Sequence, residues 1–304
     1  MIRTTLTIMG LLGAALAGPA SGETVGACRI DTATLEFTGT RSEQAACLLK
    51  KVEPRGVLVP RSLPPLFARL MKRQDGPTLA EAERAVDSLP LNVRGTMRAR
   101  LLSPVSITEA GLPARYFVIH DTSTPFLGTD PFPDDLDANP MINDLERYLG
   151  AEPVAHMFVA RSGAMEIGHD FAVPWRATKL ESRVIGVPAR GRALHIELVQ
   201  PRRREPPGVP GSEWISPVPG FSDAQYERLA ALYVIASYRA GIWLVPGFHA
   251  AFDEGIPDAH DDPQGFMLEE FAARVDQLIR GRTPLRPQGA RYPTRAPPAP
   301  SAGP

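Results

Sequence analysis

Cysteine is scarce in this 304-residue chain, with two in all, so a cysteine-rich zinc ribbon is excluded. No glycine-rich phosphate loop occurs, which argues against nucleotide chemistry. The 33 basic and 34 acidic residues leave a formal charge of −1, without the basic excess that nucleic-acid binding calls for. After the first residues, no stretch approaches the roughly 20 apolar residues of a transmembrane helix. Long helical bundles and coiled coils are also disfavoured, because 32 prolines and 26 glycines exceed average usage, roughly 12 % for the two together. With 43 % hydrophobic and 22 % charged residues, the composition is otherwise that of a globular protein with a real core, in one large domain or two modest ones.

The ends of the chain differ from its middle. Met1-Ile2-Arg3 followed by the apolar run from Thr5 to Ala17 reads as a secretory signal peptide over residues 1–22, with small residues suiting cleavage after Ala17 or Gly22. Export places Cys28 and Cys47 where disulfides persist; they are expected to form a bridge, the alternative being two buried thiols. Residues 281–304 carry seven prolines, four arginines and no acidic residue, a composition that cannot bury enough apolar surface to fold. Such a basic tail suits weak contact with anionic wall polymers or membrane surfaces, or serves only as a solubilising end. Arginine outnumbers lysine 29 to 4, a bias of genome composition more than of chemistry.

Between these ends two styles alternate. From Cys28 to Pro104 the pattern is helical pieces with loops. One helix is expected over Ser42–Val52, beginning with Ser42 as a capping-type residue, and a second opens at the capping box Thr78-Leu79-Ala80-Glu81. From Arg115 onward, the β-rich runs Tyr116–Ile119, His156–Ala160 and Leu194–Val199 read as strands of one sheet. A capping box at Ser222…Gln225 starts a long amphipathic helix to about residue 240, and a last helix runs from Met267 to Ile279. The expected architecture is α/β, a central mixed sheet flanked by helices over 109–280, preceded by a mostly helical N-terminal extension or subdomain over 23–108. The six prolines of residues 201–220 mark a long loop of the kind that often carries function.

Two of the six histidines sit just past apolar runs: His120 after Phe117-Val118-Ile119, and His249 after Trp243-Leu244-Val245. Asp262, in His260-Asp261-Asp262-Pro263, is close enough in sequence for a loop to return it. Two imidazoles and a carboxylate with a free fourth position make a catalytic zinc set, although a lone strand-end histidine is more often structural. His195 and Glu197 alternate with Ile196 along a strand and so share a face.

The order of these pieces, Phe117–Ser123, His156–Gly163, Leu194–Val199, then His249 and His260-Asp261-Asp262-Pro263, resembles the type 2 N-acetylmuramoyl-L-alanine amidases. That family includes the phage lysozyme-amidases and the peptidoglycan recognition proteins. The resemblance covers about residues 110–275, and Phe221-Ser222-Asp223-Ala224-Gln225 sits where the family has its Ser-Asp-x-Gln helix. It implies His120, His249 and Asp262 as ligands of Zn2+, Glu197 as general base, and hydrolysis of the amide joining the lactyl group of N-acetylmuramic acid to L-alanine. In that chemistry zinc acidifies water and polarises the carbonyl, while Glu197 moves the proton to the leaving amine. The implied substrate is peptidoglycan or a muropeptide, and the implied location periplasmic or secreted.

The departures from the family are specific. His260 stands where a lysine commonly stabilises the oxyanion, and it can serve if protonated or as a neutral donor. The His249 to Asp262 spacing is longer than in typical members, which leaves Asp258 and Asp261 open as alternative ligands. His120-Asp121 replaces a His-His pair, and Pro174-Trp175-Arg176-Ala177 stands where many members have Trp-His, so the cleft is expected to differ in shape. His156 reads as either a cleft or a structural residue, His195 as structural, His169 as a surface residue, and Glu181 as undecided between cleft and structure. A peptidoglycan-binding module that keeps the fold without hydrolysis is the alternative function; a zinc amidase or peptidase acting on another secreted amide is a weaker third.

Overall fold

A computed structural model describes residues 22–205 and 214–281. The leader expected over 1–22 and the tail expected over 281–304 lie outside the described residues except at their inner ends.

The N-terminal part begins with a small antiparallel sheet of β1 (Thr24–Val25), β2 (Ile30–Asp31) and β3 (Glu36–Phe37), followed by α1 (Arg41–Leu48). A hairpin of β4 (Lys51–Val52) and β5 (Leu58–Val59) leads to α2 (Pro65–Leu70), α3 (Leu79–Asp87) and α4 (Leu91–Ala99). Thr40, not Ser42, caps α1: its side chain accepts the Glu43 amide while Glu43 reaches back to the cap. The same box at Thr78 and Glu81 starts α3, as the sequence predicts. Cys28 and Cys47 are bonded with Cα atoms 5.7 Å apart, which ties the turn after β1 to α1.

The second part builds the main sheet from β6 (Tyr116–Asp121), then, after a single turn α5 (Glu146–Leu149), β7 (Met157–Val159), β8 (Met165–Ile167) and β9 (Ala193–Leu198). A short hairpin of β10 (Arg203–Arg204) and β11 (Trp214–Ile215) precedes α6 (Asp223–Ala240), β12 (Val245–Phe248), α7 (His249–Phe252) and α8 (Leu268–Arg280). Strand order is β12-β6-β9-β7-β8, parallel throughout except for antiparallel β8. Mixed sheet and flanking helices are the α/β arrangement expected. β8 had no counterpart in the sequence reading, and Pro246 is tolerated in β12 because that strand is an edge. Part of the expected 201–220 loop is the β10–β11 hairpin.

The sheet's faces bury different partners. Phe117 stacks edge-on against Tyr233 of α6 at 5.3 Å, while Tyr116, on the opposite face, meets Phe37 at 5.1 Å and Phe252 at 6.0 Å. Twelve of the 18 residues of α6 are buried, more than an amphipathic surface helix hides, because α3 and α8 cover its outer side. Gln225 both closes the capping box with Ser222 and donates to the carbonyls of Val159 and Val199, docking the helix start onto the ends of β7 and β9. Apolar residues from Cys28 to Val275 form one cluster, so the region before residue 109 has no main core of its own. Gly247 is required where α1 crosses β12, since a Cβ there would lie 2.8 Å from Leu48 and 2.7 Å from Phe252. Among the described residues no helix is long and apolar enough to cross a membrane.

The disulfide closes a loop of sequence separation 19, a restriction of the unfolded chain that stabilises by about 3 kcal/mol. Replacing both Cys28 and Cys47 by serine is expected to lower the unfolding free energy in urea by that order. An unchanged midpoint would contradict a stabilising role for the bridge.

Candidate metal centre

Parallel strands bring their carboxyl ends to one edge, where open α/β sheets build their sites. His120 of β6 pairs in register with Glu197 of β9, and Phe248, the last residue of β12, pairs with Ile119, so His249 emerges beside His120. The chain then passes through α7 and returns. Asp262 is fixed there by the Ala250 amide on its carbonyl (2.9 Å) and the Asp121 amide on its Oδ2 (3.0 Å).

Three ligand atoms converge as a result. His120 Nδ1 and His249 Nδ1 are 2.8 Å apart, and Asp262 lies 3.1 Å from His249 Nδ1 and 4.0 Å from His120 Nδ1. All three residues are buried, and together they form a group able to hold a metal ion. The Glu197 carboxylate stands 4.0 Å from His120 Nδ1, with its Oε2 buried and unpartnered. Two imidazole nitrogens, one carboxylate and an open side are a donor set suited to a catalytic metal position.

The outward ring nitrogens are held by other side chains. His120 Nε2 meets His195 Nδ1 at 3.0 Å, and His195 Nε2 lies 3.3 Å from Glu181, whose carboxylate also accepts from Thr178 and Ala177. His249 Nε2 lies 3.1 Å from the fully buried Asp253, which also accepts from His260 Nδ1 at 2.9 Å. Partners of this kind fix the tautomer and plane of a metal-binding imidazole. Burial and the neighbouring imidazoles hold His120 well below the usual histidine range, keeping it neutral. Burial works against a charge on His249 too, but the carboxylates of Asp262 and Asp253 raise it to about 10. Burial, reinforced by the nearby Asp262 charge, pushes Glu197 up to about 8.

This cluster opens into a cavity of about 570 Å³ walled by Phe126, Tyr148, Phe158, Trp175 and Arg176, with Glu197, His249, His260 and Asp262 reaching it from the metal side. The Trp214 ring of β11 packs 4.2 Å from the Phe126 ring, so the segment after the Glu197 strand backs one of the residues that line the cavity. Asp121 is buried and bound through both oxygens by Arg202, at 2.9 and 2.7 Å; burial raises its pKa to about 6 against the pull of that guanidinium.

Of the three aspartates open as third ligand, only Asp262 lies in the group. Asp258 is exposed and faces Arg183 at 3.6 Å, and Asp261 accepts from Gln264 at 2.6 Å. His260 reaches the cavity with its ring 3.9 Å from that of His249. His156 is structural: its Nδ1 accepts the His195 amide and its Nε2 donates to the Val173 carbonyl. His169, expected at the surface, is half-buried and its ring packs 4.2 Å from that of Trp175. His195 and Glu181, read as structural and undecided, form the chain behind His120. Asp253 and Arg202 were missed, although Asp253 lies four residues after His249, the spacing of one helical turn. Comparison with protein-family models, curated proteins and solved structures returned no match to this chain.

Two outcomes follow from this geometry. Asp262→Ala is expected to lose the ability to bind a metal ion while Asp261→Ala and Asp258→Ala keep it, as read by metal analysis of the purified proteins; retention in Asp262→Ala would move the ligand assignment. Arg202→Leu leaves Asp121 buried without its counter-ion, and denaturant unfolding is expected to show a loss of about 3–5 kcal/mol.

Proposed function

We propose that this chain is an exported, zinc-dependent N-acetylmuramoyl-L-alanine amidase that acts in the periplasm or after secretion on the lactyl–L-alanine amide of peptidoglycan or muropeptides. The convergence of His120, His249 and Asp262 beside Glu197, at the open end of a cavity, carries the reading. The donor set fits zinc, since two imidazoles and a carboxylate leave one coordination position open to solvent. The order of these residues along the chain is the one in which it resembles the type 2 amidases. The bonded cysteines fit an oxidising compartment.

His120, His249 and Asp262 would hold the zinc, which when bound polarises a carbonyl and acidifies water. Glu197 takes a proton from the attacking water and delivers it to the departing alanine nitrogen, which cannot leave as an amide anion. His260 donates through Nδ1 to Asp253, and when its ring carries both protons its Nε2–H can donate to a substrate oxygen that gains negative charge. His195, Glu181 and Asp253 hold the two ligand imidazoles in the planes they need.

Zinc content and release of free stem peptide from purified muropeptide test the reading together. Glu197→Gln is expected to keep zinc and to lose about 10²–10⁴-fold in peptide release, and His120→Ala to lose both. Release at the wild-type rate from both variants would overturn the catalytic assignment. Zinc binding without hydrolysis by the wild type would point instead to a binding module.

A further inference from the structure

The cavity beside the metal group has one arginine or lysine among its lining residues, Arg176. Its surroundings hold it in place without using its charge. On one side, Trp175 is anchored by its indole Nε1 on the Val154 carbonyl (2.9 Å) and by the Gly191 amide on its own carbonyl (3.0 Å). On the other, the amides of Ala177 and Thr178 donate to Glu181 at 3.2 and 3.1 Å. The backbone of Arg176 is therefore pinned at both neighbours.

Nearby arginines are occupied: Arg202 is bound to Asp121, while Arg190 donates to the Pro174 carbonyl and lies 6.0 Å over the Trp175 ring. Arg176 has no ion pair and no hydrogen-bond partner among the described residues. Of the three carboxylates that share the cavity, Asp121 is matched by Arg202 at 2.7 Å and Asp262 by His249 at 3.1 Å, while Glu197 stands beside His120 and forms no ion pair with Arg176. Arg176 is half-buried as a residue, lines an aromatic-walled cavity and forms no ion pair among the described residues, and its guanidinium is a planar fork suited to a carboxylate.

We propose that Arg176 is the anion-recognising residue of this cavity and selects substrates that present a free carboxylate. Resting on the amidase reading, the inference also places the substrate. In a muramoyl peptide the lactyl carboxyl is consumed in the scissile amide and the sugar is uncharged, so every free carboxylate belongs to the peptide. Arg176 accordingly marks the peptide side of the cleft, and forms whose carboxyls are converted to carboxamides are poorer ligands, because a neutral amide forms weaker hydrogen bonds with a guanidinium and offers one acceptor oxygen in place of two.

The test uses the zinc-loaded protein and two probes, N-acetylmuramoyl-L-alanyl-D-glutamate with both glutamyl carboxyls free and the same compound as its diamide. The wild type is expected to show a KM about tenfold lower for the diacid. In Arg176→Ala that ratio collapses to near one, and in Arg176→Lys it is partly kept, with zinc content the same in all three. Equal KM values for the two probes in the wild type, or a preference that survives in Arg176→Ala, would overturn the proposal and leave the amidase reading standing. If neither probe is cleaved, the amidase reading fails, and calorimetric titration of the same probes decides the role of Arg176: tighter binding of the diacid that is lost in Arg176→Ala supports it, and equal binding refutes it.

Discussion

Strands that run the same way and pair in register must finish at the same edge of their sheet, and β12, β6 and β9 do so here. That pairing sets Glu197 beside His120 and delivers His249 next to both, although the three residues are spread over more than a hundred positions of sequence. The remaining parts of the site serve this edge. Gln225 locks α6 to the ends of β7 and β9, and the Asp121 amide holds the Asp262 carboxylate against the histidines. A slip of one residue between β6 and β9 would turn the Glu197 carboxylate to the α6 face, where the partner is apolar packing.

Holding so many ionisable groups out of water is costly unless each is matched. The protein meets this with two chains of contacts behind the ligand histidines, one through His195 to Glu181 and one through Asp253 to His260. The N-terminal region contributes indirectly: α1 and the turn held by the disulfide pack against β12 and α7, the elements that present His249. It is built into the same core as the sheet.

Much of the cavity wall comes from connections outside the sheet. Phe126 and Tyr148 lie in the long connection between β6 and β7, and Trp175 and Arg176 in the connection before β9. Variation in such connections reshapes a cleft while leaving the strand-end groups in place. Arg176 lies in Pro174-Trp175-Arg176-Ala177, where the cleft was expected to take its own shape, but the sequence did not indicate that this arginine would have no ion pair among the described residues.

Much of this was legible in the residues themselves. Capping boxes at Thr78 and Ser222, the β-rich runs and the alternation of His195 with Glu197 depend on neighbours in sequence, and they were read correctly or within a few residues. The α1 cap moved to Thr40 because Glu43, not a residue three places after Ser42, closes the box. Which aspartate joins the histidines, that Asp253 stands behind His249, and that Arg202 neutralises Asp121 depend on contacts between distant segments. Sequence order determined which kinds of group could meet at the strand ends. Only the tertiary structure decided which of them did, because charges brought together out of water must find partners, and those partners come from elsewhere in the chain.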